Sequence, residues 1–198
     1  MAETIRQYNE RTGRAMFKLP PPWVILSCLL LFGFGELAGA LLGRYPQPIK
    51  DLTQKQVMAH PDVHGLTGVP DIDRTIFEKT GTEVLARVHT FHFHSHGLAL
   101  VVFVLCLILI NMDLSDRSKK ILMGLTCLGL GYPFGWLTIA LTIPFYGKAA
   151  AFRLAERLFF IPFGGGFLGV VWLIILIYII KQVRNFKRSK EVKNGGGS

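Results

Sequence analysis

Charge is scarce in this chain. Asp, Glu, Lys and Arg make up 18% of its 198 residues and apolar types 51%, too lopsided a balance for an ordinary soluble domain. Cysteine is nearly absent: Cys28, Cys106 and Cys127 each stand alone in an apolar stretch. That excludes a disulfide framework, paired zinc ligands and the C-x-x-C-H attachment of c-type haem. The three read as small packing residues. Histidine is missing before residue 60 and after residue 96. Acids are missing from the long apolar runs, with Glu36 as the one exception. No internal repeat is present, and neither strand alternation nor turn spacing supports a β-barrel.

What is there is apolar sequence of membrane-spanning length. Residues 23–43, 89–110, 121–145 and 158–180 each come near the roughly 20 residues that a bilayer core of ~30 Å requires. The fold class that follows is an all-α integral membrane protein with four transmembrane helices. The first stretch follows a charged, proline-rich lead over residues 1–22 and is too internal for a cleaved signal peptide. The net charge of +9 suggests nucleic acid until its distribution is considered. Arg6, Arg11, Arg14 and Lys18 precede the first span, Arg117, Lys119 and Lys120 sit between the second and third, and residues 181–198 carry a basic tail. In a four-span chain all three segments lie on one side, the positive-inside pattern with both termini cytoplasmic. The partner of these charges is the lipid bilayer, not nucleic acid. The expected location is a bacterial inner membrane. The final Asn194-Gly195-Gly196-Gly197-Ser198 reads as an appended linker.

Residues 44–88 form a long outer-face connection, broken by Pro46, Pro48, Pro61, Gly65, Gly68 and Pro70. It is expected to fold as a cap of short pieces, with Asp73 or Thr82 capping helices that lead into the second span. Residues 146–157 read as an outer amphipathic segment. Tyr132-Pro133 predicts a kink in the third span, and Pro162 with Gly164-Gly165-Gly166 a weak start to the fourth. Gly35, Gly39 and Gly43, four residues apart, make a small-residue ridge that admits a close helix, including one from a second copy.

The chemistry concentrates in the second span. His89, His92, His94 and His96 fall within eight residues at its outer end. The uninterrupted apolar run Gly97–Ile110 covers only about 21 Å as a helix, so His92, His94 and His96 must lie at membrane depth and His89 near the interface. Ionisable residues there are functional candidates by default. At 100° per residue His89, His92 and His96 share a face, and His94 points almost the opposite way. His92 and His96 have the i, i+4 spacing that presents two imidazoles together. Glu36 sits seven residues from the outer end of its span, as His96 does from His89, so the two can meet at one depth. A carboxylate orienting a ligand imidazole, or acting on protons beside it, is the chemistry expected of Glu36. Arg87, Arg153 and Arg157 would lie at the outer edge, where haem propionates require cations.

Ala86-Arg87-Val88-His89-Thr90, opening an apolar helix from the outer face, resembles the start of the low-spin haem helix in catalytic subunits of haem-copper oxidases and nitric oxide reductases. In that family a His-Thr pair follows a basic residue and the histidine is a haem axial ligand, so the resemblance implies that role for His89. It covers about 25 residues. The family's dozen spans, copper-site histidines and opposing haem ligand have no counterpart here. A second ligand would come from His60 or His64 in the cap, from Met123, or from another copy or partner chain.

Three functions remain open on sequence. One is a redox subunit that binds haem b through the histidines and passes electrons between quinol and a partner, with Tyr132, Phe134 and Trp136 near a quinone pocket. Another is a haem-free copper, zinc or iron protein with ligands from His60, His64, His89, His92, His94 and His96. The last is a non-catalytic anchoring subunit. A homo-oligomer or membership of a larger membrane complex is expected in each case.

Overall fold

The computed structural model describes residues 17–195, and among these the chain is mostly helical, with short connections and no strand. Helix α1 (Pro22–Arg44) starts on a proline, whose missing donor costs nothing at a helix N-terminus. Helix α2 (Pro46–Ala59) and the single turn α3 (Pro61–His64) follow. The long helix α4 (Pro70–Asn111) has 42 residues, about 63 Å at 1.5 Å per residue. A short connection leads to α5 (Asp116–Cys127), capped by the Ser115 hydroxyl, which accepts from the Ser118 N–H. A 3₁₀ turn (Leu128–Gly131), helix α6 (Pro133–Ala155), a π-helical segment (Glu156–Gly165) and α7 (Gly166–Gly195) complete the order.

Three stretches are long and apolar enough to cross a membrane: Pro22–Arg44, Pro70–Asn111 and Asp116–Arg184. The last is not a single rod, because it folds back on itself. Glycines on one arm face aromatic rings on the other: Gly129 meets Phe167, Gly131 meets Phe163, and Gly135 meets Phe160. As one number rises the other falls, which is antiparallel packing. The turn centres on Gly147, whose φ of 74° and ψ of 165° suit glycine alone.

One end of the bundle gathers Lys18, Asn111, Asp113 and Lys181. The Asn111 carboxamide exchanges two hydrogen bonds of 2.9 Å with the Lys18 backbone, and Lys181 Nζ lies 3.4 Å from Asp113 Oδ2. The other end gathers α2, α3, the first turns of α4 and the Gly147 turn. Two apolar cores lie between them. Val24, Leu31, Val102, Cys106, Met123 and Ile174 belong to the first, and Val84, Ile139, Ile143, Ala151 and Ala155 to the second. The histidines of α4 lie at the join.

The cap differs from expectation. The second helix begins at Pro70, well before residue 89, because no breaker lies between Asp71 and Gly81 and the proline sits at its first position. Gly81 itself makes room for the Lys50 side chain of α2. Asp73 does not cap a helix. Its carboxylate accepts hydrogen bonds from the Thr67 and Gly68 N–H groups at 2.8 and 2.9 Å and fastens the preceding loop. Thr82 lies inside the helix. Where the kink is expected, a 3₁₀ turn over Leu128–Gly131 precedes Tyr132, and Pro133 opens α6.

Candidate functional site

Helix α4 has two chemically different faces, and the histidines divide between them as 100° spacing requires. Toward α1, the His92 Nδ1–H donates to the Gly35 carbonyl at 2.8 Å. The ring then lies flat across Gly39, where a Cβ would come within 2.6 Å of His92 Cε1. One turn along, His96 Nε2 lies 3.2 Å from Glu36 Oε1, at ion-pair distance without the alignment of a hydrogen bond. A Cβ on Gly35 would approach His96 Nε2 and Ser95. Gly35 and Gly39 are thus filled by histidines of the same chain. The ridge is not free to seat a second copy there, and only Gly43 of the three glycines remains open.

The rings stack along the helix. Centroids of His92 and His96 are 4.4 Å apart edge to face, and those of His89 and His92 are 6.4 Å apart. Phe32 packs on His96 at 4.4 Å and Phe93 on His89 at 4.5 Å. This face looks outward. The Glu36 side chain is 61% exposed and that of His96 22%, while His89, Phe32, Phe93 and Leu100 are also exposed. Among the described residues, His92 Nε2 makes no hydrogen bond. With Nδ1 committed as a donor, the neutral ring keeps its Nε2 lone pair for a ligand.

The opposite face of α4 packs into the chain. His94 stacks on Trp136 at 5.9 Å and meets Tyr132 edge to face at 5.3 Å. Arg87 belongs to this face, away from His89. Its Nε donates to Glu83 Oε1 at 2.9 Å, and the guanidinium sits between the rings of Trp136 and Phe152, 5.4 and 5.3 Å from their centroids. Lys148 Nζ reaches the same carboxylate at 3.1 Å. Burial alone would raise the Glu83 pKa, but hydrogen bonds from Lys148 and Arg87 outweigh it and hold the group below the usual carboxylate range. Arg87 is therefore committed to joining α4 to α6. Arg153 and Arg157 are exposed and border a shallow groove with Ala150 and Leu154.

The cap histidines serve α6 and their own turn. The His64 Nε2–H donates to the Pro144 carbonyl at 3.0 Å, and the His60 Nδ1–H donates to the Gln56 carbonyl at 2.9 Å. Among the described residues no three His, Cys, Asp or Glu side chains are grouped to hold a metal ion. Met123 is buried in the apolar core with Cys28 and Cys106.

A cavity of about 570 Å³ lies behind the histidine face, between α1, α2, α4 and α6. Phe34, Phe91, Phe134 and Leu137 are among its lining, and Thr53 and Gln56 are its only polar lining residues. Of the three aromatics expected near such a pocket, Phe134 reaches it, while Tyr132 and Trp136 pack on His94 instead. Comparison of the chain with protein-family models, curated proteins and solved structures gives no match.

Proposed function

We propose that this protein is a redox subunit of a bacterial inner membrane, with four spans, both termini cytoplasmic and a b-type haem on the outward face of α4. The observation that carries the reading is His92, whose Nδ1–H is pinned to the Gly35 carbonyl. A backbone acceptor on the far nitrogen is the usual arrangement behind a ligating imidazole, fixing its tautomer and orientation.

Magnitudes favour a ligand role over simple fastening. A polar contact between membrane helices contributes on average ~0.6 kcal/mol and at most about 1.7. A carboxylate near a span centre costs ~2.5–3.5 kcal/mol. Glu36 lies eight residues inside the end of α1, about 12 Å deep, so one unaligned contact to His96 does not offset its cost.

His92 would hold a haem, which would supply one-electron chemistry. His92 presents a bare Nε2, His89 lies next along the face toward the interface, and Phe32 and Phe93 supply apolar walls. A haem-free copper, zinc or iron site would need three or more ligands, and among the described residues no three are grouped. Gly35 and Gly39 orient His92, and Glu36 holds a proton or negative charge beside His96. The apolar cavity suits a quinol ring and tail, with Gln56 as the polar group at its rim.

The test is an absorption spectrum of detergent-purified protein, oxidised and dithionite-reduced, with a pyridine haemochrome. A Soret band with sharp reduced α and β bands supports the reading. Featureless spectra together with no bound copper, zinc or iron by elemental analysis would leave an anchoring subunit, in which the histidines only join α1 to α4.

A further inference from the structure

We infer that a second copy of this chain covers the histidine face, so that the site is completed by a homodimer. The haem reading supplies the second half of this inference, the sharing of ligands, while the interface itself stands on separate observations.

The first observation is exposure at the wrong depth. His96 lies fifteen residues from the Asn111 end of α4, about 22 Å, within a hydrocarbon core of ~30 Å. Glu36 is beside it and largely exposed. Ionisable side chains at this depth face a bundle interior or a water-filled space, not lipid. In this chain the Glu36 carboxylate faces out beside a half-buried His96, so another molecule covers it.

The second observation is that the same face is built for close helix approach. On α1 the residues within about 60° of Glu36 include Gly33, Ala40 and Gly43. A Cβ on Gly33 or Gly43 would meet nothing within 4 Å, and the same holds for Gly97 beside His96 on α4. These glycines carry no packing duty inside the chain, unlike Gly35 and Gly39. Open small residues flanking a polar group are what membrane helix interfaces use.

The third observation selects a second copy over an unrelated subunit. The face carries an acid and imidazoles at one depth. A two-fold axis along the membrane normal returns every residue at its own depth, so Glu36 of each copy finds imidazoles opposite it. An isologous patch must be self-complementary in this way. The same axis gives His92 an identical histidine on the other copy, which would hold the haem together with it.

The experiment places single cysteines in the full-length protein with its three native cysteines changed to alanine. Phe93→Cys lies on the proposed interface and Leu141→Cys, equally exposed on α6, lies off it. Membranes carrying each cysteine variant are oxidised, and the purified parent protein, with Phe93 intact, is weighed by native mass spectrometry with its haem content. The expected result is a covalent dimer for Phe93→Cys only, a dimer mass, and one haem per two chains. A dimer cross-linked at Phe93, with no haem in the parent protein, upholds the interface and removes the redox reading. A monomer that carries haem overturns the interface and leaves the redox reading standing. Cross-linking at Leu141 alone, or of Phe93→Cys to a different protein, also overturns it. Glu36→Gln, which keeps size and removes charge, is expected to shift the population toward monomer by at least tenfold, and an unchanged dimer fraction would contradict the charge pairing.

Discussion

The two faces of helix α4 are built on opposite plans. On the inward face Arg87, Phe91 and His94 find partners in the same chain: a carboxylate, a cation–π sandwich, and rings of Tyr132, Phe134 and Trp136. On the outward face His89 is exposed, His92 and His96 are half-buried, Glu36 is an unaligned carboxylate, and His92 Nε2 makes no hydrogen bond among the described residues. The same residue type therefore has two meanings five residues or fewer apart. Where a histidine is packed between rings of the same chain, as His94 is against Tyr132 and Trp136, its role is in holding the fold. Where its Nδ1–H is held by a backbone carbonyl and its Nε2 makes no hydrogen bond, as in His92, it is prepared for a ligand.

The largest effect that would break this contrast lies behind the outward face. Gly39→Leu puts a side chain where the His92 ring now lies, and it is expected to abolish haem binding and separate α1 from α4. The haem-to-protein ratio of the purified variant measures this, and a ratio equal to that of the parent protein would contradict the seat assigned to His92. Next comes the packing of the hairpin. In Gly131→Val the added Cβ would meet Phe163 at 2.6 Å, an overpacking that costs about 1–3 kcal/mol. Thermal unfolding should move down by several degrees while the folded fraction keeps its full haem content.

The smallest effect concerns the outer clamp. Glu83 has a depressed pKa, so its stabilising share is present above the ordinary carboxylate value of about 4.3 and is lost as pH falls through the lower folded value. Acidification below about pH 4 is therefore expected to loosen Arg87 from Trp136 and change the indole fluorescence, with a free-energy effect of about 1 kcal/mol or less. Glu83→Gln should show the loosened signal at neutral pH and no further change on acidification. An unaltered acid transition in that variant would assign the transition to another group.

Much of this arrangement is legible in the amino-acid sequence, and the remainder has identifiable causes. The i, i+4 spacing of His92 and His96, the opposition of His94 and the common depth of Glu36 and His96 follow from helical geometry alone, and the structure brings Glu36 and His96 together. The partner of His92 was harder to see. It is a backbone carbonyl, which has no residue code, although Gly35 and Gly39 repeat at the same four-residue step as the two histidines. The ridge looked like a surface for another molecule because small residues announce close approach without naming what approaches. Arg87 looked available for propionates because its place near the interface is clear, whereas its direction depends on Trp136 and Phe152, far along the chain. The length of α4 was hidden by its polar first half, since Pro70 to Arg87 lacks the apolar run by which a span is recognised. The π-helical segment around Pro162 has no distinct sequence signature beyond its proline and glycines.

The most direct test of the contrast between the two faces compares His92→Ala with His94→Ala under identical purification. The account predicts that His92→Ala loses at least nine-tenths of its reduced α-band absorbance while remaining folded. His94→Ala should keep the band and lose only thermal stability. Equal retention in both, or loss confined to His94→Ala, would contradict the assignment of the outward face as the ligand-binding one.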